Sequence, residues 1–166
     1  MKKLSQLLQS VDVVEIIGNA DVEVTDIVSD SRLAREGMMF VAVNGVNVDA
    51  HKYIPQLEGK GLSAIVCEQL PQSLDSNVTY IKVKNSAIAL GKLASQWYDN
   101  PSHKLNLVGI TGTNGKTTTA TLVYEMARLM GYKAGLLSTV CNYVDDVAVP
   151  ATHTTPDPLN LNKLLA

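Results

Sequence analysis

The stretch from Leu107 to Thr119 constrains this chain more than any other, because an apolar run, a glycine-rich turn and a helical pattern follow one another directly. Apolar side chains between positions 105 and 110 predict a short buried strand. From Thr117 onward, apolar side chains recur at helical spacing as far as Met130, and a second apolar run occupies positions 135–140. A strand, a turn, a helix and a strand in this order form the setting of a phosphate-binding loop.

The turn itself contains the residue types that a bound polyphosphate requires. Gly112 and Gly115 let consecutive backbone N–H groups face one anion, since neither carries a Cβ. Lys116 adds a positive charge, Thr117 offers a hydroxyl to Mg²⁺, and the helix N-terminus adds a partial positive charge. Only the tail Gly-x-x-Gly-Lys-Thr of the general motif is matched, because Ile110 stands where that motif has its first glycine. A glycine-rich turn with an incidental surface lysine is therefore the alternative interpretation.

The composition is that of a globular protein and excludes several other classes. Apolar residues make up 46% and charged residues 18% of the 166 positions, unlike a disordered or fibrous chain. A net charge of -2 gives no broad basic field, so nucleic acid is not expected as a partner. No stretch is long enough to span a bilayer, and the first residues lack the apolar segment of a signal peptide, so we expect a cytoplasmic protein without membrane contact. Cys67 and Cys141 lack metal-ligand spacing and predict reduced, buried thiols.

Strand and helix patterns alternate along the first hundred residues, which predicts an α/β fold. Strands are expected at 13–17, 22–28, 38–43, 64–67 and 80–83, and helices at 1–10, 53–59 and 86–97. Ser86 is expected to cap the last of these helices. The break at Asn100-Pro101 predicts a domain boundary. We therefore expect one small domain at 1–100 and, at 104–166, the first part of a mononucleotide-binding α/β domain, truncated because such a sheet needs more strands.

Three polar segments lie where predicted strands or turns end and could contact a ligand. Positions 29–32, Ser-Asp-Ser-Arg, can bind a ligand or cap a turn through bonds from side chain to backbone. The loop at 44–51 follows a strand, as ligand-binding loops of α/β proteins do, although His51 alone is as consistent with a solvated or capping residue. In the third segment, 150–158, Thr155 is expected to cap the helix that begins near Leu159, or else to bind a ligand.

The order of these segments resembles the Mur ligase family, the ATP-dependent enzymes that add amino acids to the UDP-linked peptidoglycan precursor. Positions 112–118, Gly-Thr-Asn-Gly-Lys-Thr-Thr, are similar to the family's ATP loop, and positions 29–32 and 37–43 are similar to the D-S-R and F-V-A sequence of its uridine-binding domain. Positions 49–54 resemble its D-G-H-x-[FY]-I with Ala50 in place of glycine, and positions 153–156 resemble its T-T-P segment. The likeness covers nearly the whole chain and is closer to the MurE type, the UDP-N-acetylmuramoyl-tripeptide synthetases.

The resemblance implies roles for individual residues. Lys116 would be the catalytic residue on the phosphates and Thr117 would be a ligand of Mg²⁺. ATP would be held by Gly112, Thr113, Asn114, Gly115, Lys116, Thr117 and Thr118. The UDP precursor would be contacted by Ser29, Ser31, Val46, Asn47, Val48, His153, Thr154 and Thr155.

It also implies a reaction and its partners. The carboxylate of UDP-N-acetylmuramoyl-L-alanyl-D-glutamate would attack the γ-phosphate of ATP, and the acyl phosphate would then be captured by the amine of diaminopimelate or lysine. In the family, further Mg²⁺ ligands, a carbamylated lysine and an amino-acid-binding domain belong to segments that these 166 residues do not match. We therefore expect the N-terminal portion of a ligase, monomeric and inactive by itself.

Other interpretations remain open at this point. A MurF-type ligase or a folylpolyglutamate synthetase would share the superfamily, although the latter usually has serine where Thr117 stands. A nucleotide-sugar-binding module without catalysis would use residues 1–99 alone. A generic P-loop kinase would leave the first hundred residues unexplained.

Overall fold

A computed structural model describes residues 1–45, 48–149 and 156–166. Its strands and regular helices, in chain order, are β1 (Lys2–Lys3), α1 (Leu4–Leu7), β2 (Val13–Ile17), β3 (Glu23–Val24), β4 (Ile27–Val28), β5 (Met39–Val41), β6 (Ala64–Cys67), β7 (Thr79–Val83), α2 (Ser86–Trp97), α3 (Lys116–Leu129), β8 (Gly135–Leu136), β9 (Asn142–Val144), β10 (Val147–Val149) and α4 (Pro158–Leu165). Shorter 3-10 helices cover Leu8–Ser10, Ala50–Leu57 and Pro101–Lys104. No helix in these described parts is long and apolar enough to cross a membrane.

A five-stranded sheet forms the centre of the first hundred residues. Its strand order is β2-β7-β6-β5-β4, and β4 to β7 run parallel while β2 pairs antiparallel with β7. Strands buried on both faces have continuous apolar sequences, as in Met39-Phe40-Val41, where all three side chains are fully buried. The α/β fold class predicted from the alternating pattern is therefore confirmed.

The sheet is covered on both faces by separate apolar clusters. On one face, Leu4 and Leu7 of α1 and Leu93 of α2 pack against inward side chains of the strands. On the other face, Ile54 and Leu57 of the 3-10 helix at 50–57 pack with Phe40. The result is a three-layer arrangement whose parallel strands end at one common edge.

Several predicted boundaries in this part need correction. The expected strand at 22–28 is two strands, because the chain changes partner at Thr25-Asp26: β3 pairs with β1, and β4 pairs with β5. The expected helix at 53–59 is a 3-10 helix at Ala50–Leu57, which contains Pro55, a residue that has no backbone N–H for a regular α-helix. The cap of α2 is Asn85, whose side chain accepts from the N–H of Ile88, and Ser86 is the first helical residue.

Residues 105–149 differ from the expected strand, turn, helix and strand. Helix α3 is present, but the apolar run at 105–110 forms no strand, and Leu107 and Val108 are 58% and 71% exposed. A strand needs a hydrogen-bonding neighbour, and none pairs with this run among the described residues. The apolar run at 135–140 contributes only the two-residue strand β8, which joins β9 and β10 in an antiparallel sheet.

Helix α4 returns to the first part of the molecule and packs on α2. Its N-cap is Asp157, whose carboxylate accepts from the N–H groups of Leu159 and Asn160, with Pro158 at the first helical position. The expected cap, Thr155, lies outside the described residues, and the cap position itself is two residues further on. Leu159 packs against the cluster that contains Leu93, so this helix is anchored to the covered sheet.

The two cysteines are unpaired thiols, as expected. Cys67 is fully buried in β6, and burial raises the pKa of its thiol to about 11. Cys141 is only half-buried, so its predicted burial is partly wrong.

Candidate functional site

The two glycines of the loop before α3 have positive φ angles. Gly112 has a φ of 147° and Gly115 has a φ of 78°, and residues with a Cβ rarely adopt such values. Gly115 is the N-cap of α3 and supplies no side-chain acceptor to the helix. Within the described residues, no protein acceptor bonds the backbone N–H groups of positions 112–118. These amide donors therefore stand at or next to the positive end of a 14-residue helix without a described protein acceptor, and a helix N-terminus of this kind suits phosphate.

Lys116 lies over this loop. Its Nζ donates to the carbonyl oxygen of Gly112 at 2.7 Å and to that of Thr113 at 3.2 Å. The positive charge is thus held next to the loop by the loop's own carbonyl oxygens. An ammonium group has three N–H donors, and two of them bond carbonyl oxygens of the loop. A phosphate oxygen can therefore accept from the third donor, or it can replace one of the two carbonyl oxygens.

Thr117 is half-buried at the start of α3, while the other residues of positions 112–118 are exposed. Its carbonyl oxygen accepts from the hydroxyl of Thr121. The expected Mg²⁺ ligand, its own hydroxyl, is therefore placed on the first turn of the helix beside the loop. No group of three or more histidine, cysteine, aspartate or glutamate side chains in the described ranges could hold a metal ion.

The second group of expected contacts follows the parallel strands of the large sheet. Ser29 comes directly after β4, and the loop with Val48 comes after β5. Because β4 and β5 are parallel neighbours, both segments leave the same edge of the sheet. Val46, Asn47, His153, Thr154 and Thr155 lie outside the described residues.

The polar segment at 29–32 forms an internal ion pair. The guanidinium of Arg32 donates to both carboxylate oxygens of Asp30, with the shortest bond at 2.6 Å, and the backbone N–H of Arg32 also donates to Asp30. These bonds lower the pKa of the Asp30 carboxyl to about 2. The capping interpretation is thus confirmed for Asp30, whose side chain accepts from the backbone N–H of Arg32. Ser29 and Ser31 are half-buried residues next to the strand end.

Sequence reasoning missed a hydrogen-bonded ring at the same edge of the sheet. The Nδ1 of His51 lies 2.6 Å from Oδ1 of Asp49, and its Nε2 accepts from the backbone N–H of Glu68 at 2.8 Å. The Glu68 carboxylate accepts from the backbone N–H and the hydroxyl of Ser86, at 2.8 and 2.7 Å. The ring closes because the Ser86 hydroxyl accepts from the N–H of Asn44, which forms a bridge with Asp49. The only sequence signal was the Asp-x-His order at 49–51.

The charges in this ring are stabilised by their neighbours. Bonds from the backbone N–H and hydroxyl of Ser86 lower the pKa of Glu68, whose carboxylate lies at the N-terminus of α2. Hydrogen bonds from the backbone N–H and the imidazole of His51 likewise lower the pKa of the Asp49 carboxyl. Both carboxylates are therefore held in their ionised form as hydrogen-bond acceptors.

Comparison with known proteins finds two family models that match this chain. The model of the Mur ligase family, catalytic domain, matches residues 23–98, and the model of the Mur ligase middle domain matches residues 110–166. These ranges contain strands β4 to β7 of the large sheet, the hydrogen-bonded ring, and the phosphate loop with α3.

Relatives and solved structures agree with these matches. The UDP-N-acetylmuramoyl-L-alanyl-D-glutamate--2,6-diaminopimelate ligase of Bacteroides fragilis is 55% identical over 98% of this chain and 34% of its own length. The chain thus spans about a third of the length of this curated relative. A solved ligase of the same name is 20% identical with a TM-score of 0.67 over 99% of this chain and 33% of its own, which shows the shared fold. A MurF ligase from Thermotoga maritima, solved in complex with ADP, is 27% identical with a TM-score of 0.52 over 85% of this chain and 29% of its own. This chain belongs to the Mur ligase family.

Proposed function

We propose that this chain supplies the UDP-precursor-binding part and the ATP phosphate loop of a ligase that joins diaminopimelate to UDP-N-acetylmuramoyl-L-alanyl-D-glutamate. The observation that carries the proposal is that the backbone amides at 112–118, for which the described residues provide no acceptor, lie beside Lys116 at the start of α3. The choice of diaminopimelate over lysine is supported by the name of the 55%-identical relative. The proposal retains the expectations of a monomer, a cytoplasmic location and no nucleic-acid or membrane partner.

The chemical logic of the proposal is amide formation through an acyl phosphate. The precursor carboxylate takes the γ-phosphoryl group of ATP, ADP leaves, and the amine then displaces phosphate as the amide bond forms. Backbone amides at 112–118 and Lys116 would hold the polyphosphate, and Thr117 would contribute one hydroxyl to the Mg²⁺ that accompanies it. Their role is to bring two anions together under positive charge.

One lysine cannot supply the whole effect. A hydrogen bond to a charged group contributes about 1.5–3 kcal/mol, whereas enzymes typically lower barriers by at least about 8 kcal/mol. The proposal therefore assigns these residues to binding and positioning, with the remaining stabilisation supplied by groups outside this set.

The phosphate loop is tested by titrating the chain with ATP and Mg²⁺ in a calorimeter. We expect Lys116→Ala to weaken binding by about tenfold or more, because it removes the charged donor beside the phosphates. The matched control is Lys133→Ala, which removes the same charge from an exposed position after α3 and should leave the affinity within about twofold.

The results separate the candidate functions. Equal affinities of the two lysine variants would contradict the phosphate loop. Binding of UDP precursor without any binding of ATP by the wild-type chain would favour a nucleotide-sugar receptor instead. The UDP precursor itself is titrated into the wild-type chain and into the Ser29→Ala variant. This substitution removes a hydroxyl at the sheet edge, and we expect it to weaken precursor binding by about two- to tenfold.

A further inference from the structure

The segment at 29–33 is a turn between two core residues. It lies between Val28 of β4 and Ala34, whose side chains are buried in the same apolar cluster. The backbone N–H of Leu33 donates to the carbonyl oxygen of Asp30 at 3.0 Å, which closes the turn. The core thus fixes both ends of the 29–33 turn, while the conformation between these ends depends on the turn's own hydrogen bonds.

The side chain of Asp30 holds the first half of the turn. Its carboxylate accepts from the backbone N–H of Arg32 at 3.0 Å and from Nη2 of the Arg32 guanidinium at 2.6 Å. The guanidinium bonds contribute most to lowering the pKa of this carboxyl to about 2, so it is ionised at neutral pH. The Arg32 side chain is 86% exposed, and an ion pair this exposed adds little to the free energy of unfolding. Its main effect is therefore on the local conformation of the turn.

Two further basic side chains hold the second half of the turn. Nη1 of Arg35 donates at 2.9 Å to the carbonyl oxygens of both Arg32 and Ala34. Nζ of Lys60, from the segment before β6, donates to the carbonyl oxygen of Ser31 over a longer distance of 3.4 Å. Arg35 therefore joins the end of the turn to the core residue that follows it, and its contact is the stronger of the two.

The serine hydroxyls differ from the other polar groups of this turn. Ser29 and Ser31 are half-buried next to the edge where the parallel strands end. Among the described residues, no protein group bonds either hydroxyl, and no buried side-chain oxygen lacks a partner. The neighbouring carboxylate and carbonyl oxygens are bonded within the protein. The turn thus presents two hydroxyls from a backbone that is held in place.

We propose that Asp30 and Arg35 are positioning residues, which fix the 29–33 turn so that the hydroxyls of Ser29 and Ser31 face the nucleotide end of the UDP precursor. The inference rests on the proposed function, because it takes the two serines as precursor contacts. A turn that is already ordered does not lose its conformational freedom when the ligand binds, so these bonds raise the affinity without touching the ligand.

The test titrates UDP-N-acetylmuramoyl-L-alanyl-D-glutamate into the chain and its variants in a calorimeter. Asp30→Ala and Arg35→Ala should each raise the Kd by about three- to tenfold. Asp30→Asn keeps an oxygen for the backbone N–H of Arg32 and should recover part of the affinity. In a chain that already carries Ser29→Ala and Ser31→Ala, Asp30→Ala should change the Kd by less than about twofold, because the hydroxyls that it positions are absent.

A matched substitution elsewhere separates positioning from the loss of any exposed ion pair. Asp12 pairs with Lys92 at 2.6 Å, the same length as the ion pair of the turn, and its side chain is 84% exposed. Asp12→Ala should leave the Kd for the precursor within about twofold. Amide hydrogen exchange at Leu33, whose bond closes the turn, should be faster in both alanine variants of the turn than in wild type and unchanged in this control. ATP binding at the separate phosphate loop should be equal in all of these variants.

The outcomes distinguish this inference from the function on which it rests. Failure of the wild-type chain to bind the precursor would overturn the proposed function together with the positioning role. Binding that is weakened by the serine substitutions but not by Asp30→Ala or Arg35→Ala would overturn the positioning role alone. An effect of Asp30→Ala that is as large without the serine hydroxyls as with them would show that Asp30 acts independently of the serines, and it would also overturn that role.

Discussion

Two runs rich in apolar residues have opposite structural outcomes in this molecule. Met39-Phe40-Val41 is a fully buried strand with a parallel neighbour on each side. Leu107 and Val108 lie in a comparable run but are mostly exposed and outside any described strand. The difference shows that an apolar run becomes a strand only where neighbouring strands pair with it and other elements cover both of its faces.

The two regions also hold their candidate residues by different means. Around the large sheet, tertiary contacts join residues that are far apart in sequence, such as Asn44 and Ser86. The phosphate loop depends instead on local backbone geometry, namely the positive φ angles of Gly112 and Gly115 and the start of α3. Local geometry of this kind can form with few long-range contacts, because its amides are oriented by a single turn.

A small set of contacts attaches the hairpin of β9 and β10 to α3. The hydroxyl of Tyr124 donates to the carbonyl oxygen of Asp145 at 2.6 Å, and its ring stacks on that of Tyr143 at 5.5 Å between centroids. Arg128 pairs with Asp145 and Asp146. This second region is thus held more by polar and aromatic contacts than by a large apolar core.

The largest expected effect compares a core side chain with an exposed one. Phe40→Ala should lower the free energy of unfolding by about 3–5 kcal/mol, because it leaves a cavity in a fully buried site. Val108→Ala removes a side chain that is 71% exposed and should change it by less than about 0.5 kcal/mol. Urea denaturation followed by the fluorescence of Trp97, the only tryptophan, measures both. Similar losses in the two variants would contradict the contrast between the regions.

A smaller effect is expected at two glycines with nearly equal φ angles. Gly37 has a φ of 76°, and an added Cβ would lie 2.9 Å from Cγ2 of Thr25, whereas Gly115 has a φ of 78° and no atom within 4 Å. Gly115→Ala should cost about 1–2 kcal/mol of backbone strain, and Gly37→Ala about 2–4 kcal/mol because steric overlap is added. Urea denaturation followed by circular dichroism compares them. An equal loss of stability in the two variants would show that Thr25 moves away from the added Cβ at no cost in free energy, and it would contradict the prediction.

The smallest expected effect is the pH dependence that Glu68 of the ring contributes to the free energy of unfolding. The folded pKa of Glu68 lies below its ordinary value of 4.5, so the unfolded chain takes up the proton first as the pH falls. The stabilisation is therefore complete above about pH 4.5 and is lost as the pH falls through the folded pKa. Glu68→Gln cannot titrate and should lose less stability than wild type between pH 6 and pH 3. Urea midpoints across this range test the difference, and parallel curves for the two proteins would contradict it.

Much of the α/β architecture could be predicted from periodicity alone. The strand at 64–67 and the helix at 86–97 were placed correctly, because each has a clear pattern and a turn or cap at its ends. The strand at 105–110 was wrong, because periodicity reports the apolarity of a run and not whether a partner is present. Helix α3 and the glycine turn were found because their signals are local in sequence.

The candidate site was predictable to a more limited extent. The phosphate loop and the serine at the end of β4 were identified as candidates from motif order, and their ligand contacts stay predictions. The ring was missed because Glu68 and Ser86 belong to no local motif and come near His51 only when β5, β6 and β7 pair in parallel.

The sequence by itself determined the family, the α/β class and the local conformation of the phosphate loop, since each depends on residue order within a short window. Only the tertiary structure decided which apolar runs are buried, where helix α4 docks, and that His51, Glu68 and Ser86 belong to one hydrogen-bonded ring. The physical reason is that burial and hydrogen bonding across strands depend on which distant segments become neighbours, and no single segment specifies its neighbours.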